Sequence, residues 1–208
     1  MRRCTLDHLV VVSPILPLGA RFVERQLGVQ LQPGGEHVRM GTHNLLLRLG
    51  DSFYLEVIAP NSMAPLPTRP RWFGLDELSA QASPRLAHWV ARTEQLDTAD
   101  EGLRKVFGEV EPMSRGVLSW KISIQPDGHL PLEGAIPSLI DWGDAEHPAQ
   151  RLDDKGCQLQ HLEISYPDPG LVERQLEAIG FTGPVSVLRG ERYVLRASIS
   201  TPGGLVIL

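Results

Sequence analysis

The sequence predicts an α+β protein assembled from three β-α-β-β-β units, and three observations carry that prediction. A Leu-x-His triplet opens an apolar, strand-like run at three places: Leu6-Asp7-His8, Leu86-Ala87-His88 and Leu159-Gln160-His161. A helical stretch follows each and stops at a glycine 20, 20 and 19 residues after the histidine. Two or three strand-like runs then follow each helix, bounded by turn residues. One triplet of this kind carries no information, but three at matched offsets define a repeat. The units span residues 6–58, 86–142 and 159–208, with linkers at 59–85 and 143–158.

In the first unit, Leu9 to Val12 forms the opening strand. The helix follows Pro14, with Ile15, Leu18, Phe22, Val23 and Leu27 at three- and four-residue spacing and Gly28 as its stop. Leu45–Leu49 and Phe53–Ile58 are strands joined through Gly50-Asp51, a hairpin signal. The linker holds Pro60, Pro65, Pro67 and Pro70, and a short helix is expected over Leu75–Ala82. In the second unit, Thr98 and Glu101 form a capping-box pattern before Leu103, Val106, Phe107 and Gly108. Leu118, Trp120, Ile122 and Ile124 alternate with polar residues as a half-buried strand. Ile136–Trp142 closes the unit. In the third, Asp168 caps, Pro169 suits the first turn, and Leu171, Val172, Leu176 and Ile179 form the buried stripe before Gly180. Arg192–Ser200 and Leu205–Leu208 follow, joined at Thr201-Pro202-Gly203-Gly204.

Composition bounds the partners. The chain has 208 residues and a formal charge of −5, with no basic run, which argues against nucleic acid. No apolar run exceeds four residues, so no membrane helix is expected. Two cysteines, Cys4 and Cys157, make no disulfide framework, and a cytoplasmic setting with reduced thiols is expected. Serine-hydrolase elbows, phosphate loops, dinucleotide glycine patterns and Cys-x-x-Cys motifs do not occur.

The closing strands carry the chemistry. Glu56 sits in Phe53–Ile58 and Asp141 in Ile136–Trp142, each a lone carboxylate among apolar residues. A buried, unpartnered carboxylate costs several kcal/mol, so each should be paired, ligated or turned outward. If the strand layers of two units curl around a shared cleft, His8, Glu56, His88 and Asp141 converge there. Two imidazoles and two carboxylates suit a divalent ion such as Ni, Co, Fe, Mn or Zn, which would act as a Lewis acid on a bidentate oxygen substrate. The structural alternatives are a His8–Glu56 pair ordering strand ends, His88 bonded to backbone with Trp89 as the pocket residue, and Asp141 as a partner for Arg115 or for a nearby backbone N–H. His37 and His129 read as solvated loop residues, and His147-Pro148 as shaping the linker. Trp72, Trp120 and Trp142 could line an apolar pocket or pack in the core.

The β-α-β-β-β repeat with His at its head and Glu at its tail resembles the vicinal oxygen chelate superfamily of glyoxalase I, extradiol dioxygenases and bleomycin-resistance proteins. Several stretches look more narrowly like the glyoxalase-like domain proteins: Leu6–Val11, Gly41-Thr42-His43-Asn44, Tyr54–Pro60, Pro112-Met113-Ser114-Arg115, Ile140-Asp141-Trp142-Gly143 and His147-Pro148-Ala149. The resemblance implies a curved mixed sheet around a cleft. It implies His8 and Glu56 as first-unit metal ligands, with His88 and Asp141 at the second-unit positions. His161 is an alternative third ligand, in a two-His-one-carboxylate set similar to the dioxygenase arrangement. Glu56 or Asp141 would serve as the base, and His43, Asn44, Trp72, Arg115, Trp120 and Trp142 would meet the substrate. Two functions stay open: a metal-dependent lyase, isomerase or dioxygenase, and a metal-free protein that sequesters a small molecule. The apolar end at Leu205–Leu208, without a charge to blunt an edge strand, predicts a homodimer using part of 159–208.

Overall fold

The computed structural model describes residues 3–94, 96–116 and 118–208. Strand β1 (Cys4–Val12) is buried almost throughout, as befits the centre of a sheet, with Asp7 and His8 as buried polar groups among its apolar residues. Helix α1 (Leu16–Leu27) buries Val23 and Leu27 and ends where Gly28 adopts a φ of 72°. Three strands complete this set: β2 (Gln32–His37), β3 (Thr42–Arg48) and β4 (Tyr54–Pro60). β3 and β4 form the expected hairpin, and β4 returns parallel to β1.

The second set repeats the plan with β5 (Arg85–Arg92), α2 (Glu101–Phe107), β6 (Glu109–Arg115), β7 (Leu118–Ile124) and β8 (Ser138–Asp141). Its helix is capped by Asp100, not by Thr98: the Asp100 carboxylate accepts from the Leu103 N–H. β5 lies antiparallel to β1, which joins the two sets into one sheet of order β2-β3-β4-β1-β5-β8-β7-β6, curled into a half-barrel. A 3-10 turn at Trp72–Glu77 crosses the concave face, burying Trp72, Phe73 and Leu75 against Val10, Val12 and Ile58. It lies a few residues before the helix expected over 75–82, because the two aromatic side chains are what the concave face can bury.

The remaining elements are β9 (Gln158–Tyr166), α3 (Pro169–Ala178), β10 (Phe181–Thr182), β11 (Val185–Arg189), β12 (Val194–Thr201) and β13 (Gly204–Ile207). Asp168 caps α3 as expected. The ladder departs from a third copy of the first two sets. β10 leaves to pair with β1, and the other strands form a separate sheet of order β11-β9-β12-β13. This sheet packs on the convex side: Leu162, Ile164, Leu195 and Ile199 share one core with Leu9, Val11, Trp89 and α1.

All three Leu-x-His triplets turn out to be β-bulges. In the β1–β5 ladder the pairing steps over Asp7 on one strand and Ala87 on the other, and in the β9–β12 ladder it steps over Gln160. A regular strand sends successive side chains to opposite faces, whereas the extra residue of a bulge turns x and His to the same face. Leu6 and Leu9 accordingly both pack in the convex core, while His8 faces the concave side.

Candidate functional site

On the concave side, His8, His37, Asn44, Tyr54, Glu56, Trp72, Phe73, Arg115, Trp120 and Trp142 enclose a cavity with about 20 Å³ of free space. That is room for about one water molecule. β1 supplies His8; β4, its parallel neighbour, supplies Tyr54 and Glu56 by the pairings His8 with Tyr54 and Val10 with Glu56. β3 adds Asn44, and β6, at the far edge of the sheet, adds Arg115.

A buried chain of polar groups runs through the wall. Asp7, fully buried, accepts from His8 Nδ1 at 2.6 Å, and its other oxygen accepts from Trp142 Nε1 and His147 Nε2, both at 3.0 Å. Burial alone would raise the Asp7 pKa. The hydrogen bonds from His147 and His8 outweigh it, so the carboxyl stays well below its ordinary range and ionised. His147 Nδ1 accepts from the Ala149 N–H, which fixes the proton of this ring on Nε2. An ionised Asp7 likewise holds the His8 proton on Nδ1 and leaves Nε2 toward the cavity. There His8 Nε2 stands 3.7 Å from Glu56 Oε2. Asn44 Nδ2 donates to Glu56 Oε1 at 2.5 Å, and Asn44 Oδ1 accepts from Arg115 Nη1 at 3.2 Å, so one amide orients both charged side chains.

The walls are aromatic. Tyr54 stacks on His8 with centroids 4.5 Å apart, and burial, with Asp7 and Glu56 nearby, pushes its phenol well above the ordinary value. His37 meets Trp72 and Trp120 edge-on, and its Nδ1 lies 3.1 Å from Thr42 Oγ1. Burial pushes its pKa down to about 3, helped by the positive charge of Arg115. Two glycines make the arrangement possible. A Cβ on Gly34 would lie 2.1 Å from Asn44 Oδ1, and one on Gly35, whose φ is +155°, would lie 2.7 Å from Arg115 Cδ.

Seven of the residues singled out from the sequence line this cavity: His8, Asn44, Glu56, Trp72, Arg115, Trp120 and Trp142. Four do not. His88 is buried and bonded instead to Ser138, whose backbone N–H donates to His88 Nε2 at 3.0 Å. Asp141 accepts from the backbone N–H groups of Leu96 and Gly143 and lines an outer groove. His43 precedes Asn44 on β3 and is not among the cavity-lining residues. His161 lies in the convex-side sheet, 2.8 Å from Ser186 Oγ.

Register explains the second-unit discrepancy. Glu56 pairs with the residue two positions after His8; in the second set, the residue two after His88 is Val90, and its partner is Ser138. The counterpart of Glu56 is therefore Ser138, three residues before Asp141. In the β9 sheet the partner of Glu163, two after His161, is Ser186. The three histidines thus face Glu56, Ser138 and Ser186. Only the first pairing brings two metal-type donors together, and among the described residues no three His, Cys, Asp or Glu side chains are grouped to hold an ion. The four-ligand centre expected from the sequence does not fit this donor set.

Sequence reasoning missed Asp7, His37, Tyr54, Phe73 and the bridging role of His147. His37 is buried in the cavity wall rather than solvated, because the Gly- and Pro-rich stretch before it forms strand β2 instead of a loop. Asp7 beside a predicted functional histidine was the available signal.

The sequence matches the family model described as Glyoxalase-like domain over residues 6–180. No curated protein matches it. Among solved structures, a hypothetical protein from Staphylococcus aureus superposes with a TM-score of 0.64 at 12% identity, covering 91% of this chain and 87% of that one. A methylmalonyl-CoA epimerase from Streptomyces coelicolor, in complex with 2-nitronate-propionyl-CoA, gives 0.45 at 17% identity, covering 67% and 97%. The methylmalonyl-CoA epimerase from Mycobacterium tuberculosis gives 0.42 at 15%, covering 68% and 88%. At 12% identity the likeness to the Staphylococcus aureus protein is one of fold.

Proposed function

Because the chain belongs to the glyoxalase-like domain family, we propose that its concave cavity binds a small carbonyl compound and moves a proton next to the carbonyl, as in an isomerase or lyase. The observation that carries this reading is the buried Asp7–His8–Glu56 chain opening on the cavity. Glu56 takes a proton from the carbon beside the carbonyl, and the C–H electron pair moves onto the carbonyl oxygen. His8 Nε2 then shares the proton held by Glu56, and Asp7 stabilises the imidazolium that results. Returning the proton to the same or the neighbouring carbon completes the cycle, with no net gain or loss of electrons. Asn44 holds the base in place, and the aromatic walls exclude water. In this reading the chain is three units, 6–58, 86–142 and 159–208, and the first supplies the proton-transfer groups.

Exchange of solvent deuterium into pyruvate and hydroxyacetone, followed by proton NMR, tests the proposal. The protein should catalyse exchange into at least one, and Glu56→Gln should slow it by about 10²-fold or more. Exchange no faster than in buffer, or undiminished in the variant, overturns it. The ring-lined walls, Trp72, Phe73, Trp120 and Trp142 among them, favour a second reading, a metal-free small-molecule binder. Saturable binding without exchange would select it.

We also propose self-association along β13. This edge strand leaves Leu205 67% and Ile207 62% exposed, and an unpaired apolar edge readily takes up another strand. Sedimentation should give twice 23.0 kDa at micromolar concentration, whereas a clean monomer refutes the dimer.

A further inference from the structure

We propose that Arg115 and Trp72 form an anion subsite within this cavity, so that the compound bound there carries a carboxylate beside its carbonyl. The inference rests on the cavity being the functional site, and it holds whether or not proton transfer occurs there.

The first observation is an uncompensated cation. The Arg115 guanidinium has five N–H donors, and its one hydrogen bond among the described residues runs from Nη1 to the neutral amide of Asn44. Among the described residues no carboxylate lies within ion-pair distance of it, although ten other arginines and lysines make such pairs there. Glu56, the acidic group in the same wall, is engaged by Asn44 on one oxygen and faces His8 with the other.

The second observation is independent. Trp72 lines the same cavity, is 3% exposed, and its indole N–H has no hydrogen-bond acceptor among the described residues. An orphaned buried donor costs about 1–3 kcal/mol, so it marks a place where an acceptor belongs. A guanidinium and an N–H around one cavity present donors to a ligand that brings acceptors. A carboxylate has two such oxygens and matches the planar fork of arginine.

The third is that the backbone is shaped for this arginine. Side chains at 34 or 35 would collide with Asn44 or with the Arg115 stem, and the bare glycine pair in β2 lets both reach the cavity. The free space holds about one water molecule, so a carboxylate-bearing compound enters only when the partly buried Trp142 swings outward.

Three of the four tryptophans line the cavity, so intrinsic fluorescence reports its occupancy. Sodium pyruvate and its neutral methyl ester should be titrated at constant ionic strength into the full-length protein, Arg115→Gln and Arg115→Lys. Pyruvate should saturate the signal, with the ester weaker by about tenfold or more. Arg115→Gln should remove that preference, and Arg115→Lys should restore part of it. Equal binding of acid and ester by the wild type, no saturation by pyruvate, or unchanged preference in Arg115→Gln overturns the subsite. The acid–ester comparison needs no variant, so a folding defect in Arg115→Gln leaves the test intact. Preferential pyruvate binding without deuterium exchange would keep the subsite and reject the proton-transfer reading.

Discussion

Acid should unfold this protein unusually early, and two buried histidines set the amount. His37 and His88 are both held neutral inside, with pKa values pushed down to about 3. For His37 burial is the main cause, followed by the charges of Arg115, His8 and His43. For His88 it is burial and then His8, partly offset by the Gly134 carbonyl. In the unfolded chain both titrate near their ordinary value of about 6.5. A base whose folded pKa is depressed contributes its full stability above the unfolded pKa and loses it as pH falls toward the folded one. Between about pH 6 and pH 4 the unfolded state therefore binds two more protons than the folded state. At 1.36 kcal/mol per proton per pH unit, stability should fall by about 3 kcal/mol for each unit. Between about pH 6 and pH 4 that removes about 5 kcal/mol, comparable with the low end of a typical total of about 5–15 kcal/mol, before most carboxylates have titrated. Urea denaturation followed by tryptophan fluorescence at pH 7.5, 6.0 and 5.0 measures the slope, and His37→Gln should roughly halve it. A stability that changes by less than about 1 kcal/mol between pH 6.0 and 5.0 would refute the argument, because it would mean that these rings are not desolvated.

Asp7→Ala should cost about 3–5 kcal/mol in urea denaturation at pH 7, since three N–H donors lose their acceptor and two of them belong to buried histidine rings. Because the Asp7 pKa is depressed, this contribution is fully present above about pH 4 and fades as pH falls further, so the loss is largest at neutral pH. Asp7→Asn keeps one acceptor oxygen and should cost less, while nitrogen NMR of His8 should show its proton no longer confined to Nδ1; an unchanged tautomer would count against the positioning role. Gly34→Ala places a methyl 2.1 Å from Asn44 Oδ1 and should lower both stability, by about 1–3 kcal/mol, and pyruvate affinity. Gly28→Ala, with φ +72° and nothing within 4 Å of the new methyl, is the matched control: it should cost about 1 kcal/mol and leave affinity alone.

The repeat was legible because helix stops and strand-opening apolar runs are local signals. The half-barrel and the pair His8 and Glu56 followed from it. The bulges were not legible, since a residue stepped over in a ladder has no composition of its own, and without the bulge Asp7 would be assigned to the face opposite His8. Register is equally silent in sequence. Asp141 looked like the counterpart of Glu56 because both are carboxylates near the end of an apolar strand, yet pairing with β5 puts Ser138 there. β2 escaped notice because Gln32-Pro33-Gly34-Gly35-Glu36-His37 has the composition of a turn. Its glycines serve the Asn44 and Arg115 side chains that cross it, a demand set by another strand.

Register also explains why one repeat of three carries the chemistry. β9 meets β12 across a bulge at Gln160 as β1 meets β5 across one at Asp7, and β11 runs beside β9 as β4 runs beside β1. The same three positions can therefore be compared: Asp7, His8 and Glu56; Ala87, His88 and Ser138; Gln160, His161 and Ser186. The bulge residue decides whether a carboxylate stands behind the ring, and the parallel strand decides what faces it. Alanine and serine leave His88 facing the hydroxyl and backbone N–H of Ser138 in a dry wall, with no carboxylate, and burial drives it neutral. Gln160 is exposed and His161 partly so, on a sheet whose inner face is committed to the convex core. Only in the first set do a carboxylate behind the ring, a carboxylate before it and a cavity coincide. Grafting Asp onto position 87 should therefore not create a second centre, because Ser138 would still offer His88 no base.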